Sequence, residues 1–475
     1  MNHRLVLTLI VTLALNPMIS QANATVPITE AVMAEGECSQ GIELLDAQLI
    51  LDVDPDKGRL KGRYTAVLKN PFAKPLAQAC FVLNPGLKID RIEIKGLKSL
   101  LKEPTQGASP LAYRLIPQQP FASDSSQQLS LQFSGPIIAQ PKFGRILPDD
   151  VFLSSQSFFY PRFDRAQNRY CPLNLQIKVP QGYLPVPSGA KQFPVLSGDT
   201  YHASIETACG FRNEQGFDLA SARYAVNETG PLRIYHRLGK QVSKAELVTM
   251  SAEFKDMFKA LGDQFGPHTA THFNLVETNR EDLGGMGKVN TVFLSDKYFG
   301  QAEKVAPAQY SFFKQQFGDP DRITKEFAFY RRTVLAHECA HLFINHFYDY
   351  DKPWFAEGLP EFTSLEALLA TGHKSDVERK LAEYHQIWRQ VPTRPLPAIN
   401  QASLDSQLGY RVNYYGTPLA LWVLRQNRRD TFNALWKAWL SDRNKALTYA
   451  YFKASFNLSP TESAYFEKAF EPKAF

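Results

Sequence analysis

The 475-residue chain is poor in cysteine. It has five, spaced too widely for a zinc ribbon and too few for a small disulfide-built scaffold. It also lacks an excess of charge of either sign. A formal net charge of +6 spread over this length gives no concentrated basic face, so nucleic acid is not an expected partner. Internal repeats and low-complexity segments are absent, and past the amino terminus no apolar run reaches the length of a membrane-spanning helix. What is there is ordinary globular material, 44% hydrophobic and 21% charged, which excludes a disordered or collagen-like polymer. The length predicts about two to four domains. The 33 Phe, 20 Tyr and 5 Trp supply large side chains for their cores or for a substrate groove.

The first 24 residues read as a secretory signal. His3 and Arg4 open it, an apolar run extends from Leu5 to Leu15, and Ala22-Asn23-Ala24 forms a small-x-small cleavage site. The apolar run is well short of the roughly 20 residues that cross a bilayer, so cleavage is expected and a stable membrane anchor is not. The expected location is therefore periplasmic or secreted. In such an oxidising compartment Cys38, Cys80, Cys171 and Cys209 can pair. Proximity favours Cys38–Cys80 and Cys171–Cys209, with the two other pairings left open.

The hydrophobic pattern changes near residue 225. Before it, apolar residues alternate: Leu49, Leu51, Val53; Leu60, Gly62, Tyr64, Ala66, Leu68; Leu129, Leu131, Phe133; Leu173, Leu175, Ile177, Val179. Turn signals such as Asp54-Pro55-Asp56-Lys57-Gly58 and Asn84-Pro85-Gly86 separate the runs, and the pattern predicts an antiparallel β-sandwich-like domain over 25–225. After it, Ser243-Lys244-Ala245-Glu246 has the form of a capping box, opening a helix with a stripe of Leu247, Met250, Phe254, Met257, Phe258 and Leu261 that is expected to end at Gly262. Short strands are expected at 272–276 and 291–294, and helices from 325 onward. The fold class is thus multidomain, β followed by α/β, with 226–395 as the α/β part and 396–475 as its carboxy-terminal helices.

The chemistry concentrates at His337-Glu338-Cys339-Ala340-His341. Phe327 to Ala336, just before it, contains no Gly or Pro and supports a helix. On a helix two histidines at i and i+4 share a face and can bind one zinc ion, with Glu338 placed to take a proton from water and pass it to a leaving group. A catalytic zinc uses a third protein ligand. Candidates lie in Trp354-Phe355-Ala356-Glu357-Gly358-Leu359-Pro360-Glu361.

Here the sequence resembles the gluzincin metallopeptidases, most of all the aminopeptidase N and leukotriene hydrolase family, whose Trp-x-x-Glu-Gly segment completes a zinc site. The resemblance makes Glu357 the third ligand, although the 342–356 spacer is shorter than the family's, which is about 18 residues. Glu361 competes for that role and otherwise would hold the other nitrogen of an imidazole. The resemblance also implies a tyrosine that donates to the oxyanion. Tyr414 is the choice within Gly409-Tyr410-Arg411-Val412-Asn413-Tyr414-Tyr415-Gly416, with Tyr410 and Tyr415 open.

Gly284-Gly285-Met286-Gly287-Lys288 resembles the family's substrate-binding strand, so Gly285 and Met286 would line the substrate. Gly287 stands where the family has the Glu that anchors a free amine, and Glu281 or Asp282 could substitute for it. The implied activity is an exported, aminopeptidase-like zinc peptidase acting on peptides. The alternative is a non-catalytic exported protein that binds peptide or protein and keeps this fold.

Overall fold

The computed structural model describes residues 28–30, 41–103, 110–139, 143–163, 170–208, 216–240, 242–279, 284–300, 319–344, 353–390 and 407–441, with isolated positions 311, 314, 315, 455 and 460. The leader, Cys38, Cys209, Glu281 and Asp282 lie outside the described residues.

Where apolar side chains alternate, the chain pairs into sheets. The first strands are β1 (Ile28–Glu30), β2 (Glu43–Asp54), β3 (Arg59–Lys69), β4 (Ala79–Leu83), β5 (Lys88–Ile94), β6 (Leu97–Lys102), β7 (Leu111–Pro117) and β8 (Ser126–Gly135). They continue with β9 (Gly144–Leu147), β10 (Asp150–Leu153), β11 (Arg162–Phe163), β12 (Tyr170–Lys178), β13 (Leu184–Pro187), β14 (Val195–Ser197), β15 (Thr200–Ala208) and β16 (Leu219–Ala222). A seven-stranded sheet, β14-β15-β12-β2-β3-β8-β5, and a five-stranded sheet, β1-β6-β7-β4-β11, enclose one apolar core. On β3 the inward set is Leu60, Gly62, Tyr64, Ala66 and Leu68, as the alternation requires. Each fully buried leucine of such a set contributes roughly 1.5–3 kcal/mol. Gly62 has a specific reason to be glycine. It pairs with Phe133 across the ladder, and a Cβ there would come within 2.1 Å of the Phe133 ring.

A four-stranded sheet, β13-β16-β10-β9, leads to the second unit. There β17 (Tyr224–Thr229), β18 (Leu232–Arg237), β19 (Phe273–Thr278), β20 (Gly285–Lys288) and β21 (Thr291–Ser295) form the sheet β17-β18-β19-β21-β20. Its middle strands β18, β19 and β21 are parallel, and both edge strands are antiparallel. Parallel strands are buried on both faces. Leu275, Val292 and Leu294 face a helical core, while Val276 and Phe293 face Phe152, Val186 and Ala220 of the preceding sheet. The alternation within β19 and β21 thus seats the two halves of the molecule against each other.

Helix α1 (Lys244–Phe265) starts at the expected capping box: Ser243 accepts from the Glu246 backbone, and the Glu246 carboxylate accepts from the Ser243 backbone at 2.8 Å. Its end is a correction. The helix runs past Gly262 to Phe265 and stops at Gly266, whose φ of 81° with ψ of 170° is a backbone conformation that only glycine adopts readily. Gly262 merely lacks a side chain in open space, and burial of Phe265 outweighs the roughly 1 kcal/mol that a helical glycine costs.

The helices that follow are α2 (Pro320–Ile344), α3 (Pro353–Ala370), α4 (Lys374–Arg389), α5 (Gln407–Arg411), α6 (Thr417–Asn427) and α7 (Arg429–Ser441), with a π-helical turn at Val412–Gly416 between α5 and α6. The expected order, a β half followed by α/β and then helices, is the order observed. Among the described residues no helix is long and apolar enough to cross a membrane.

Candidate metal centre

Helical spacing puts His337 and His341 on one face of α2, with their Nε2 atoms 3.0 Å apart. Helix α3 brings Glu357 opposite them, its Oε2 lying 3.2 Å from His337 Nε2 and 3.4 Å from His341 Nε2. Among the described residues these three form the one group of metal-ligating side chains whose atoms meet within 4.8 Å. A tetrahedral ion with bonds of 2.0–2.1 Å needs donors about 3.3 Å apart. Two nitrogens and one carboxylate oxygen at these separations therefore fit one zinc ion. The Glu357 side chain keeps 30% of its surface exposed, against 9% and 11% for the two histidines, so the triangle opens to solvent on the glutamate side.

Glu361 lies one turn beyond Glu357 on α3. Its Oε2 is 2.6 Å from His337 Nδ1, and its Oε1 accepts from Lys380 and from the Tyr384 hydroxyl, both on α4. With Nδ1–H donated to Glu361, the Nε2 lone pair of His337 is left pointing at the triangle. Burial opposes charge on His337, yet hydrogen bonds to Glu357 and Glu361 carry its pKa up to about 10. Burial likewise opposes ionisation of both carboxylates. The paired histidines hold Glu357 well below the usual range, and Lys380 with His337 does the same for Glu361. Positive charge is therefore favoured at the centre of the group, where the cation would sit.

Glu338 is 5% exposed and packs under β20, the edge strand of the second sheet. A Cβ at Gly285 would lie 2.5 Å from Glu338 Cγ and 2.9 Å from its Oε1, and one at Gly287 would lie 2.2 Å from the Glu338 carbonyl oxygen. The two glycines are what allow strand and helix to touch. Strand alternation turns Met286 the other way: its Sδ is 3.6 Å from the Ser154 hydroxyl, and it packs on the apolar cluster between the two halves. At the tip of this hairpin Val289 holds φ at 53°, a costly conformation for a β-branched residue and one found where backbone serves a site.

The three tyrosines separate by position. Tyr414 stacks on the His337 ring at 5.9 Å between centroids, and its hydroxyl pKa is pushed far up by burial and then by the Glu357 carboxylate, to which it donates. Tyr410 is 49% exposed and meets the Tyr414 ring at a tilt of 32°, 4.6 Å between centroids. Tyr415 faces Tyr384 on the far side. The π-helical turn that carries Tyr414 is a conformation concentrated at functional sites.

Cys339, between the two histidines, is a free buried thiol whose pKa burial raises. Cys80 is disulfide-bonded. The expected pairings involve Cys38 and Cys209, so they fall outside the described residues.

Sequence reasoning missed Lys380 and Tyr384. The signal was present: Val377, Tyr384 and Trp388 form the buried stripe of α4, and Lys380 lies on that stripe with its side chain only 13% exposed.

No family model matches the chain, and no curated protein matches it. Solved structures do. The M1 zinc metallopeptidase from Deinococcus radiodurans is 15% identical, with 92% of this chain and 95% of that one covered at a TM-score of 0.63. A mutant of that enzyme bound to a Tyr-Ser-Ala substrate is 14% identical over 92% of this chain and 95% of its own, at 0.61. Over nearly its whole length, the chain therefore has the fold of the M1 zinc metallopeptidases.

Proposed function

We propose that the chain is a zinc-dependent peptidase of exported type, aminopeptidase-like in its site. The observation that carries the reading is the triangle of His337, His341 and Glu357, with Glu338 beside it and Tyr414 over it. The zinc ion, when bound, supplies Lewis acidity that lowers the pKa of water and polarises a carbonyl. The chain supplies the rest. Glu338 takes a proton from the attacking water and returns it to the leaving amine. Tyr414, kept protonated by burial, donates a hydrogen bond to the carbonyl oxygen as negative charge develops there. Strand β20 lies at the edge of its sheet, where an extended peptide would lie alongside it, with Gly285 at its start.

That a structural neighbour is bound to a tripeptide supports peptides as the substrate class. The reading places the catalytic unit in 226–395 with 396–475, and it keeps 25–225 as the β domain that follows a cleaved leader. Pairing of Cys80 with Cys38 and of Cys171 with Cys209 belongs to the same exported reading.

The test is to measure zinc in the purified mature protein and to digest a peptide library with free and with blocked amino termini. Stoichiometric zinc with cleavage of free-amine peptides supports the reading. Stoichiometric zinc without any cleavage favours the alternative, a peptide-binding protein that keeps the fold; the close seat of Gly287 on α2 is the observation behind that alternative.

A further inference from the structure

Helix α4 carries no ligand, base or oxyanion donor, yet it touches every part that holds them. It is clamped to the histidine helix α2 by Asp376 with Arg332, 2.7 Å, and by Arg379 with Glu326, whose Nη1–Oε1 distance is 2.9 Å. Arg379 also lies 3.9 Å from the centre of the Phe329 ring. One turn further on, Lys380 and Tyr384, four residues apart and so on one face, both donate to Oε1 of Glu361. This leaves Oε2 for His337 Nδ1. One more turn along, the Trp388 ring is so close to Gly416 that a Cβ there would meet it at 2.5 Å, and Tyr384 meets Tyr415 edge-on at 5.6 Å. The same helix thus backs both the histidine ligand and the turn that carries Tyr414.

We infer that Lys380 and Tyr384 are positioning residues of the metal centre: by occupying one oxygen of Glu361 they fix the other on His337, and so aim the His337 Nε2 at His341 and Glu357. The inference rests on the metal reading above. A carboxylate with one anchor can turn about its last bond. With three donors on two oxygens it cannot turn without breaking a buried hydrogen bond. Lys380 also places its ammonium group against the buried Glu361 carboxylate.

The test uses the full mature chain and reads zinc itself. Affinity is measured by competition with a chelator for wild type, Lys380→Met, Lys380→Arg, Tyr384→Phe and, as a control in an exposed pair of the same helix, Lys374→Met. The cobalt-substituted forms are compared by visible spectrum. Expected are a roughly 10- to 100-fold loss of zinc affinity for Lys380→Met, a smaller loss for Tyr384→Phe, partial recovery in Lys380→Arg, and no change in the control. The cobalt bands should shift in the first two. Zinc affinity and cobalt spectra equal to wild type in both Lys380→Met and Tyr384→Phe, even with a lower melting temperature, would reduce the contacts to mere packing and overturn the inference alone. Wild type that takes up no zinc overturns the metal reading together with it. Should Lys380→Met fail to fold, Tyr384→Phe removes a single hydroxyl and decides the matter.

Discussion

Two glycines, Gly62 in the β-sandwich and Gly285 beside the metal centre, do the same physical work for different ends. Each lies in a strand and yields its side-chain space to a larger neighbour, Phe133 in one case and Glu338 in the other. In the sandwich the neighbour is a ring filling an apolar core, so the vacated space becomes packing. At the metal centre it is a carboxylate, so the space becomes room for the group proposed as the base. The difference teaches that close packing in the first half maintains stability, whereas in the second half it maintains geometry.

The largest expected effect comes from the carboxylate itself. Glu338→Gln keeps the shape of the side chain and removes its basicity. Turnover should fall by about 10²–10⁴-fold, with zinc content and melting temperature unchanged. A variant as active as wild type would break the comparison at its root, since Gly285 would then be making room for nothing.

Changes in the sandwich should show up in stability alone. Phe133→Ala empties the space that Gly62 preserves and should cost about 3–5 kcal/mol by denaturant unfolding. Gly62→Ala overfills it and should cost about 1–3 kcal/mol. In both, the activity of each folded molecule should equal wild type. Gly285→Ala is the matched opposite. The nearest atoms its Cβ meets are Cγ, Cδ and Oε1 of the Glu338 side chain, none of them backbone, so the carboxylate shifts while the fold survives: turnover should drop about tenfold, roughly 1.4 kcal/mol at the barrier, with stability nearly unchanged. A stability loss in Gly285→Ala as large as that in Gly62→Ala would erase the distinction.

How much of this could be read in the sequence follows from the range of each interaction. The inward stripe of β3, the pairing of His337 with His341 and the Ser243 cap each depend on residues within a few positions, and the pattern states them outright. Fold class was legible for the same reason, through the switch from period two to helical period. Glu357 needed the resemblance, because the spacer 342–356 sets its approach to α2 and no periodicity reports that. The stripe of α4 that carries Lys380 and Tyr384 was legible, but their partnership with Glu361 was not, because it exists only when α4 folds back over α3. Met286 was placed on the substrate side by its neighbours in the motif; alternation along β20 turns it to the opposite face from Gly285 and Gly287. The end of α1 moved from Gly262 to Gly266 because burial of Phe265, a tertiary effect, extends the helix by one turn.

The smallest effect sharpens the comparison from within the second half. Ser243 caps α1 far from the metal, accepting from the Glu246 backbone while its own backbone donates to Glu246. Helix α1 shares one apolar core with α2, meets it where the Phe258 and Phe343 rings lie 4.8 Å apart, and is tied to it by Arg331 with Glu253 at 3.0 Å. If every stabilising contact in this half also served geometry, loosening the cap would lower turnover. The cap, however, lies at the solvent end of a 22-residue helix, and its loss frays only the first turn. Ser243→Ala should therefore cost about 1 kcal/mol of stability with the activity of each folded molecule and the zinc affinity both intact. A drop in either would mean that geometry at His337 and Glu338 depends on the whole helical layer; no drop would confine that dependence to the residues touching the site.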